Sequence, residues 1–224
     1  MDHSSSLRER LIDAGVELVT AEGSAAVGLR EIARRAGVSH GAPRRYFPTH
    51  HSLLSAIARR GFADLAARLA AATNDPRTPR GRLRALSEAY LEYARDNRGM
   101  FELMFRHDLL DSEAHADATP PEAGTPVPPR LRDSSLPLFA GLVELVTLDR
   151  AHRAAHADTG PSNDPAPPSA VTAAALWTNL HGLAVLRAGG GLRLALETAL
   201  PDAGDGPDPL VSAVLDAHLG RVRT

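Results

Sequence analysis

The chain of 224 residues contains no cysteine, and this absence excludes disulfide bonds, thiolate metal sites and catalysis by a thiol. It has no uninterrupted apolar run of about 18 residues, the length that a membrane-spanning helix needs. Its first ten residues also lack the apolar segment of a secretory signal. Together these absences predict a protein of the cytoplasm with no membrane partner.

The chain also lacks the short motifs of common enzyme sites. No phosphate-binding Walker loop, no Rossmann glycine fingerprint and no Gly-x-Ser-x-Gly elbow occurs. His152 and His156 have the spacing of two metal ligands on a helix, but no acidic partner lies between them. We therefore expect no enzymatic activity, no cofactor and no bound metal.

Charge is distributed unevenly along the chain. Among the first 60 residues, nine arginines and no lysine stand against six acidic residues, whereas the rest of the chain carries a net negative charge. A basic head on an acidic body predicts an anionic partner for the head alone. A chance fluctuation in composition is the alternative.

Apolar residues recur at helical spacing along most of the chain, and no β-type alternation of useful length occurs. This pattern predicts an all-α fold with about nine helices. Helices are predicted over Ser6–Glu22, from Thr49 to just before Asn74, and over Arg130–His156, Ser169–Ala188 and Pro207–Arg221. Two segments rich in proline and polar residues, Asp111–Pro129 and Ala157–Pro168, are predicted to be flexible loops.

The most informative segment runs from Leu29 to Phe47. It predicts a helix-turn-helix at about residues 27–46. Ala33 is small enough to let two helices approach closely, and Gly37 tolerates the positive φ that a tight turn requires. Val38 would plug the corner between the helices. Ser39 would cap a third helix that begins there and ends before Pro48.

Residues on and around this third helix are the predicted DNA contacts, since a recognition helix places its exposed side chains in the major groove. The predicted contacts are Arg30, Ser39, His40, Gly41, Ala42, Arg44, Arg45, Tyr46 and His50. A structural helical hairpin with an exposed basic face is the alternative interpretation.

The first 60 or so residues resemble the DNA-binding domain of the tetracycline repressor (TetR) family. The matching segments are Leu29–Ala33, Ala36–Ser39, Phe47-Pro48 and Leu53-Leu54. Two positions depart from the usual pattern: Arg44, where the family often has Tyr, and His50, where it often has Lys. The resemblance implies a DNA-binding domain over residues 1–60 and a helical effector-binding and dimerisation domain over residues 61–224. It also implies a repressor that a small-molecule effector releases from operator DNA.

Trp177, His181 and Gly182 resemble the Trp-x-x-x-His-Gly pattern of one TetR subgroup. Trp177 and His181 share one helix face because they are four residues apart. They are predicted to line an effector pocket, with a packed core Trp beside a hydrogen-bonded His as the alternative. The predicted pocket consists of Phe101, Met104, Phe105, Leu142, Trp177 and His181.

The predicted partners are double-stranded operator DNA, an unidentified small-molecule effector and a second copy of the chain. Since one recognition helix contacts too few bases for useful specificity, a two-fold dimer on a palindromic operator is expected. Its interface is predicted on the helix of Trp177 and Leu180 and on the last helix, with Leu210, Val214 and Leu215. Two other functions are weighed against this one: an enzyme that uses His181, and a helical adaptor with a basic head.

Overall fold

A computed structural model describes residues 6–74, 78–106, 130–156, 166–190, 192 and 208–221. The all-α prediction is confirmed, since these residues form helices and turns but no strand. The eight α-helices within them are α1 (Leu7–Glu22), α2 (Leu29–Arg35), α3 (His50–Thr73), α4 (Pro79–Asp96), α5 (Arg98–Met104), α6 (Leu131–Ala155), α7 (Ser169–Ala188) and α8 (Pro209–Leu219). Short 3₁₀ helices lie at Ser24–Ala26 and Ala42–Arg45. The predicted loop at 111–129, and most of that at 157–168, lie outside the described residues.

Side-chain caps account for where several helices begin. The Ser6 hydroxyl accepts the Glu9 N–H at the start of α1, at 3.3 Å. Thr49 and Ser52 satisfy each other's backbone N–H groups at the start of α3, and the Asp208 carboxylate accepts the Leu210 N–H in α8. These contacts satisfy donors that the first turn of a helix leaves without partners.

The chain divides into two compact units, each built from two segments. The N-terminal unit comprises residues Met1–Asp64 and Asn97–Ser135, and the C-terminal unit comprises Leu65–Asp96 and Leu136–Thr224. The predicted division into domains at residue 60 stays a prediction.

In the N-terminal unit, α1 packs against α2 and α5. Gly61 lies so close to Met100 and Met104 that a Cβ atom there would be 2.7 Å from either sulfur atom. The rings of Phe101 and Phe105 pack with centroids 4.9 Å apart. Phe101 and Met104 are therefore part of the hydrophobic core of this unit, where they are nearly inaccessible to solvent.

In the C-terminal unit, α4, α7 and α8 pack against one another. Leu83, Leu176 and Val211 fill the core between them and are fully buried. The same unit contains a buried ion pair. In it, the Arg80 guanidinium donates two hydrogen bonds to the Asp149 carboxylate, at 2.9 and 3.1 Å. Arg80 also donates to the backbone carbonyls of Leu219 and Gly220, which lie at the end of α8 and would otherwise lack partners.

The predicted dimer interface needs correction, because two of its residues face the core of the unit. Leu180 on α7 and Leu215 on α8 are 1% and 0% exposed, so neither can contact a second copy. The large apolar residues that α7 exposes are Val171, Val185, Leu186 and Trp177. Leu210 and Val214 on α8 are half-buried, so the predicted interface at Trp177, Leu210 and Val214 stays a prediction.

Candidate functional site

The turn after α2 has the geometry that the sequence predicts. Gly37 adopts φ of +68°, a conformation that glycine reaches without a steric penalty. The Val38 N–H donates to the Ala33 carbonyl at 3.0 Å, and the Gly37 N–H donates to the Arg34 carbonyl at 3.1 Å. This pair of hydrogen bonds is a Schellman motif, which closes the C-terminus of α2 and turns the chain sharply.

Arg10 on α1 strengthens the same helix end. Its guanidinium donates a hydrogen bond of 2.6 Å to the Ala36 carbonyl, which a helix C-terminus leaves without a partner. This contact ties α1 to the turn, so the arginine stabilises the motif from within the protein.

The predicted α-helix from Ser39 is wrong in type and length, because the chain forms only the 3₁₀ helix Ala42–Arg45. An α-helix capped by Ser39 would need residue 43 to donate to the Ser39 carbonyl, and Pro43 has no N–H. That carbonyl instead accepts the Ala42 N–H, at 3.0 Å. The predicted cap is also absent, since Gly41 precedes this helix and no side chain caps it.

Three exposed arginines surround this turn. Arg30 lies at the start of α2, and Arg44 and Arg45 lie on the 3₁₀ helix. Within the described ranges none of the three forms an ion pair or a side-chain hydrogen bond. Their charges are therefore available to an anionic partner.

The neighbouring arginines of α2 are neutralised by contrast. Glu31 accepts hydrogen bonds from Arg34 at 2.8 Å and from Arg35 at 3.0 Å, and Arg35 also pairs with Glu22. The two guanidinium groups lower the pKa of Glu31 to about 2, so its carboxylate stays ionised at any physiological pH. The positive charge of this surface is thus concentrated on Arg30, Arg44 and Arg45.

The other predicted contacts differ in exposure. Ser39, His40 and Gly41 are exposed, Ala42 is half-buried, and the Tyr46 ring is 44% exposed. His50 is engaged within the protein, since its Nε2 lies 2.8 Å from the Val27 carbonyl and must donate to that oxygen. The sequence contains no signal for this contact, because it joins residues far apart in the chain.

The C-terminal unit contains a cluster of aromatic and polar side chains. Trp177 and His181 do share one face of α7, with ring centroids 6.0 Å apart. Tyr90 on α4, which sequence reasoning missed, joins them: its hydroxyl accepts from Trp177 Nε1 at 3.4 Å and lies 2.9 Å from His181 Nδ1. Burial raises the pKa of Tyr90 and lowers the pKa of His181. The hydroxyl therefore stays protonated beside a neutral imidazole. With the imidazole proton on Nε2, the hydroxyl donates a hydrogen bond to His181 Nδ1.

Acidification is expected to change the fluorescence of Trp177, the only tryptophan. Because burial lowers the pKa of folded His181 below 6.5, folding loses stability as the pH falls below that value. Once the folded ring is protonated, Nδ1 can no longer accept from Tyr90. A fluorescence titration should show a transition centred below about pH 6.5. His181→Gln should abolish it and His218→Gln should retain it, whereas a midpoint above that pH would contradict the account.

A cavity of about 380 Å³ lies in the C-terminal unit, between the end of α3, the start of α4 and the middle of α6. Leu69, Leu86, Leu138 and Leu145 form much of its wall, and Arg82 and Glu144 are its charged residues. Its volume is within the range of cavities that bind small molecules.

None of the six predicted pocket residues lines this cavity. Phe101, Met104 and Phe105 belong to the N-terminal unit, while Leu142, Trp177 and His181 belong to the C-terminal unit. The pocket that combines them stays a prediction.

Helix α7 exposes several large apolar residues to solvent. Val171, Val185 and Leu186 are each more than half exposed. By length and composition alone, α7 could span a membrane. Of the 18-residue apolar stretch within it, 28% is buried. Such a helix is weak evidence for a membrane protein, because core helices of soluble proteins pass the same test.

The glycine turn between α2 and the 3₁₀ helix, with exposed arginines near it, is typical of proteins that bind DNA through a helix-turn-helix. The chain belongs to the tetR family of bacterial regulatory proteins. The family's N-terminal model matches residues 11–57, and the model of the tetracyclin repressor-like C-terminal domain matches residues 83–203, over half of the chain. The protein is a ligand-responsive, DNA-binding regulator of transcription. The Trp-x-x-x-His-Gly subgroup is not confirmed by these matches.

Solved structures share this fold over nearly the full chain. A protein of unknown function from Rhodococcus sp. RHA1 is 28% identical, with a TM-score of 0.65 over 97% of this chain and 95% of that one. A TetR-like transcriptional regulator from the same organism is 17% identical, with a TM-score of 0.58 and 96% and 97% coverage. The multidrug binding protein EbrR, solved with imidazole, is 20% identical, with a TM-score of 0.51 and 99% and 98% coverage. No curated protein matches the chain significantly.

Proposed function

We propose that this protein is a cytoplasmic, homodimeric repressor that binds a palindromic operator and leaves it when a small-molecule effector binds. The observation that carries the proposal is the set of three exposed arginines without ion pairs around the glycine turn, Arg30, Arg44 and Arg45. Exposed guanidinium groups bind phosphate oxygens and the guanine edge in the major groove.

The short 3₁₀ helix is the proposed reading element. Arg44 and Arg45 reach base edges or phosphates from it, while Arg30 binds a phosphate beside the N-terminus of α2. Ser39, His40 and Tyr46 add phosphate contacts, and the exposed backbone at Gly41 allows close approach. His50 positions the start of α3 through its contact with Val27, so its part in DNA binding is indirect.

Binding of the full chain to the DNA that flanks its own gene tests this function. A gel shift should show a complex that survives an excess of random DNA of the same length, since specific sites bind far more tightly than non-specific DNA. A screen of small molecules on that complex should then identify ligands that release it. Equal affinity for flanking and random DNA would contradict the proposal.

The exposed face of α7 that bears Val171, Val185 and Leu186 is the proposed dimer contact, because large apolar side chains exposed to solvent are typical of protein interfaces. Val185→Glu should therefore convert the dimer into a monomer, as it would bury a charge without a partner. Light scattering during size exclusion at micromolar concentration measures the change. The matched control is Leu136→Glu on α6, where the side chain is 59% exposed against 52% for Val185. A wild-type monomer, or a dimeric Val185→Glu variant, would refute this interface.

A further inference from the structure

We propose that the cavity of the C-terminal unit binds a small apolar molecule carrying one carboxylate, and that Arg82 holds that carboxylate. The inference rests on the proposed function only in treating this ligand as the effector. Two properties of the cavity select such a molecule: the leucine side chains along its wall, and an arginine that has no hydrogen bond or ion pair among the described residues.

Arg82 differs from the two arginines beside it on α4. Arg80 pairs with Asp149, and Arg84 donates a hydrogen bond of 2.7 Å to Ser212. Positions 80 and 84 lie on the same helix face, whereas position 82 points away from it. Arg82 instead lines the cavity, and among the described residues its side chain makes no hydrogen bond or ion pair.

The Nε atom of Arg82 is buried and has no hydrogen-bond partner. A buried donor of this kind is costly, because water no longer solvates it and no protein group replaces the water. An arginine guanidinium carries a positive charge in proteins. A ligand carboxylate would pair with this charge through the terminal nitrogens of the guanidinium, since its two oxygens match the guanidinium fork.

The remaining walls define the rest of the ligand. Leu69, Leu86, Leu138 and Leu145 favour a hydrocarbon body. Glu144 is exposed and also lines the cavity, but it forms no ion pair with Arg82. Its charge disfavours a second anionic group on the ligand, which is why we infer a single carboxylate.

Calorimetric titration of the full chain with decanoate and with methyl decanoate tests the proposal. The two probes share the hydrocarbon body and the acceptor oxygens, but only decanoate is charged. We expect decanoate to bind about tenfold or more tightly than the ester, because hydrogen bonds between charged groups are the stronger ones. Equal affinities, or no binding of decanoate, would overturn the proposal.

Charge variants locate the carboxylate. Arg82→Met should reduce decanoate binding to the level of the ester, and Glu144→Gln should strengthen it by removing a competing anion. Arg95→Met is the matched control, because Arg95 is exposed on the same helix and paired with Asp96. Wild-type decanoate affinity in a folded Arg82→Met variant would show that the anion does not bind there, and the proposal would fail.

A second pair of variants tests the cavity itself. A Cβ atom at Gly141 would meet no atom within 4 Å, and Gly141 lines the cavity, so Gly141→Leu should fill the space and weaken both probes. Ala140→Leu, next to it and exposed, should weaken neither. If Gly141→Leu binds both probes as the wild type does, the cavity is not the site. Since no DNA is present, failure here would leave the proposed operator binding untouched.

Discussion

Replacing Asp149 by alanine is expected to lower the free energy of unfolding by about 3 kcal/mol, because it removes the buried, hydrogen-bonded anion of Arg80. The carboxylate that remains near this guanidinium is that of Asp216, which is 3.6 Å away and 40% exposed. The Asp149 side chain is 2% exposed and that of Arg80 is 10% exposed, so water cannot replace the lost carboxylate. Urea denaturation at a fixed protein concentration measures the change, since a dimer's stability depends on concentration.

Two controls separate burial from charge in this measurement. Asp96→Ala removes a carboxylate from an exposed ion pair with Arg95 and should change the free energy of unfolding far less than Asp149→Ala does, because solvent screens exposed charges. The double variant Arg80→Met/Asp149→Leu removes both charges and should recover much of the lost stability, because an apolar pair can replace a buried ion pair. A double variant as unstable as Asp149→Ala would show that the carbonyl contacts of Arg80 at the end of α8 dominate instead.

Arg44→Ala and Arg45→Ala are each expected to weaken operator binding by about tenfold or more, since an arginine on a base edge contributes about 1–3 kcal/mol. Fluorescence anisotropy over a series of salt concentrations measures the affinity and the slope of its logarithm against the logarithm of the salt concentration. A variant that lowers the slope by about one has lost a phosphate contact, whereas a variant that relaxes the sequence preference has lost a base contact.

Arg98→Ala provides the control for these two variants, because Arg98 is exposed in the same unit but is paired with Glu102. It should leave operator affinity unchanged, and all three variants should keep the helical content of the wild type. If Arg44→Ala and Arg45→Ala both bind as the wild type does, the exposed arginines of the 3₁₀ helix are not the reading element.

Local patterns in the sequence predicted most of the helices. The turn at Gly37 and the bounds of Ser169–Ala188 are as expected, because a positive φ and a helix start depend on nearby residues. The prediction of an α-helix from Ser39 is wrong, and the sequence itself contains the reason. Pro43 stands at the position that would donate the first α-helical hydrogen bond, and its effect outweighs the cap at Ser39.

The features that the sequence could not predict depend on contacts between distant segments. Helix α7 is apolar on every side, so its periodicity does not indicate that Leu180 faces the core and Val185 faces solvent. Similarly, the role of Arg82 follows from the packing of α4 against other helices. The contact of Tyr90 with His181 joins residues 91 positions apart, and no local pattern indicates it.

Selection of bound sequences from a pool of random DNA duplexes tests the central claim most directly, that the turn around Gly37 reads DNA for a symmetric dimer. The account predicts enrichment of one palindrome whose half-sites lie about one helical turn, or a multiple of it, apart. It also predicts that the Arg44→Ala/Arg45→Ala double variant, carried through the same selection, enriches nothing. Enrichment of the same sequences by both proteins, or of none by the wild type, would contradict the account.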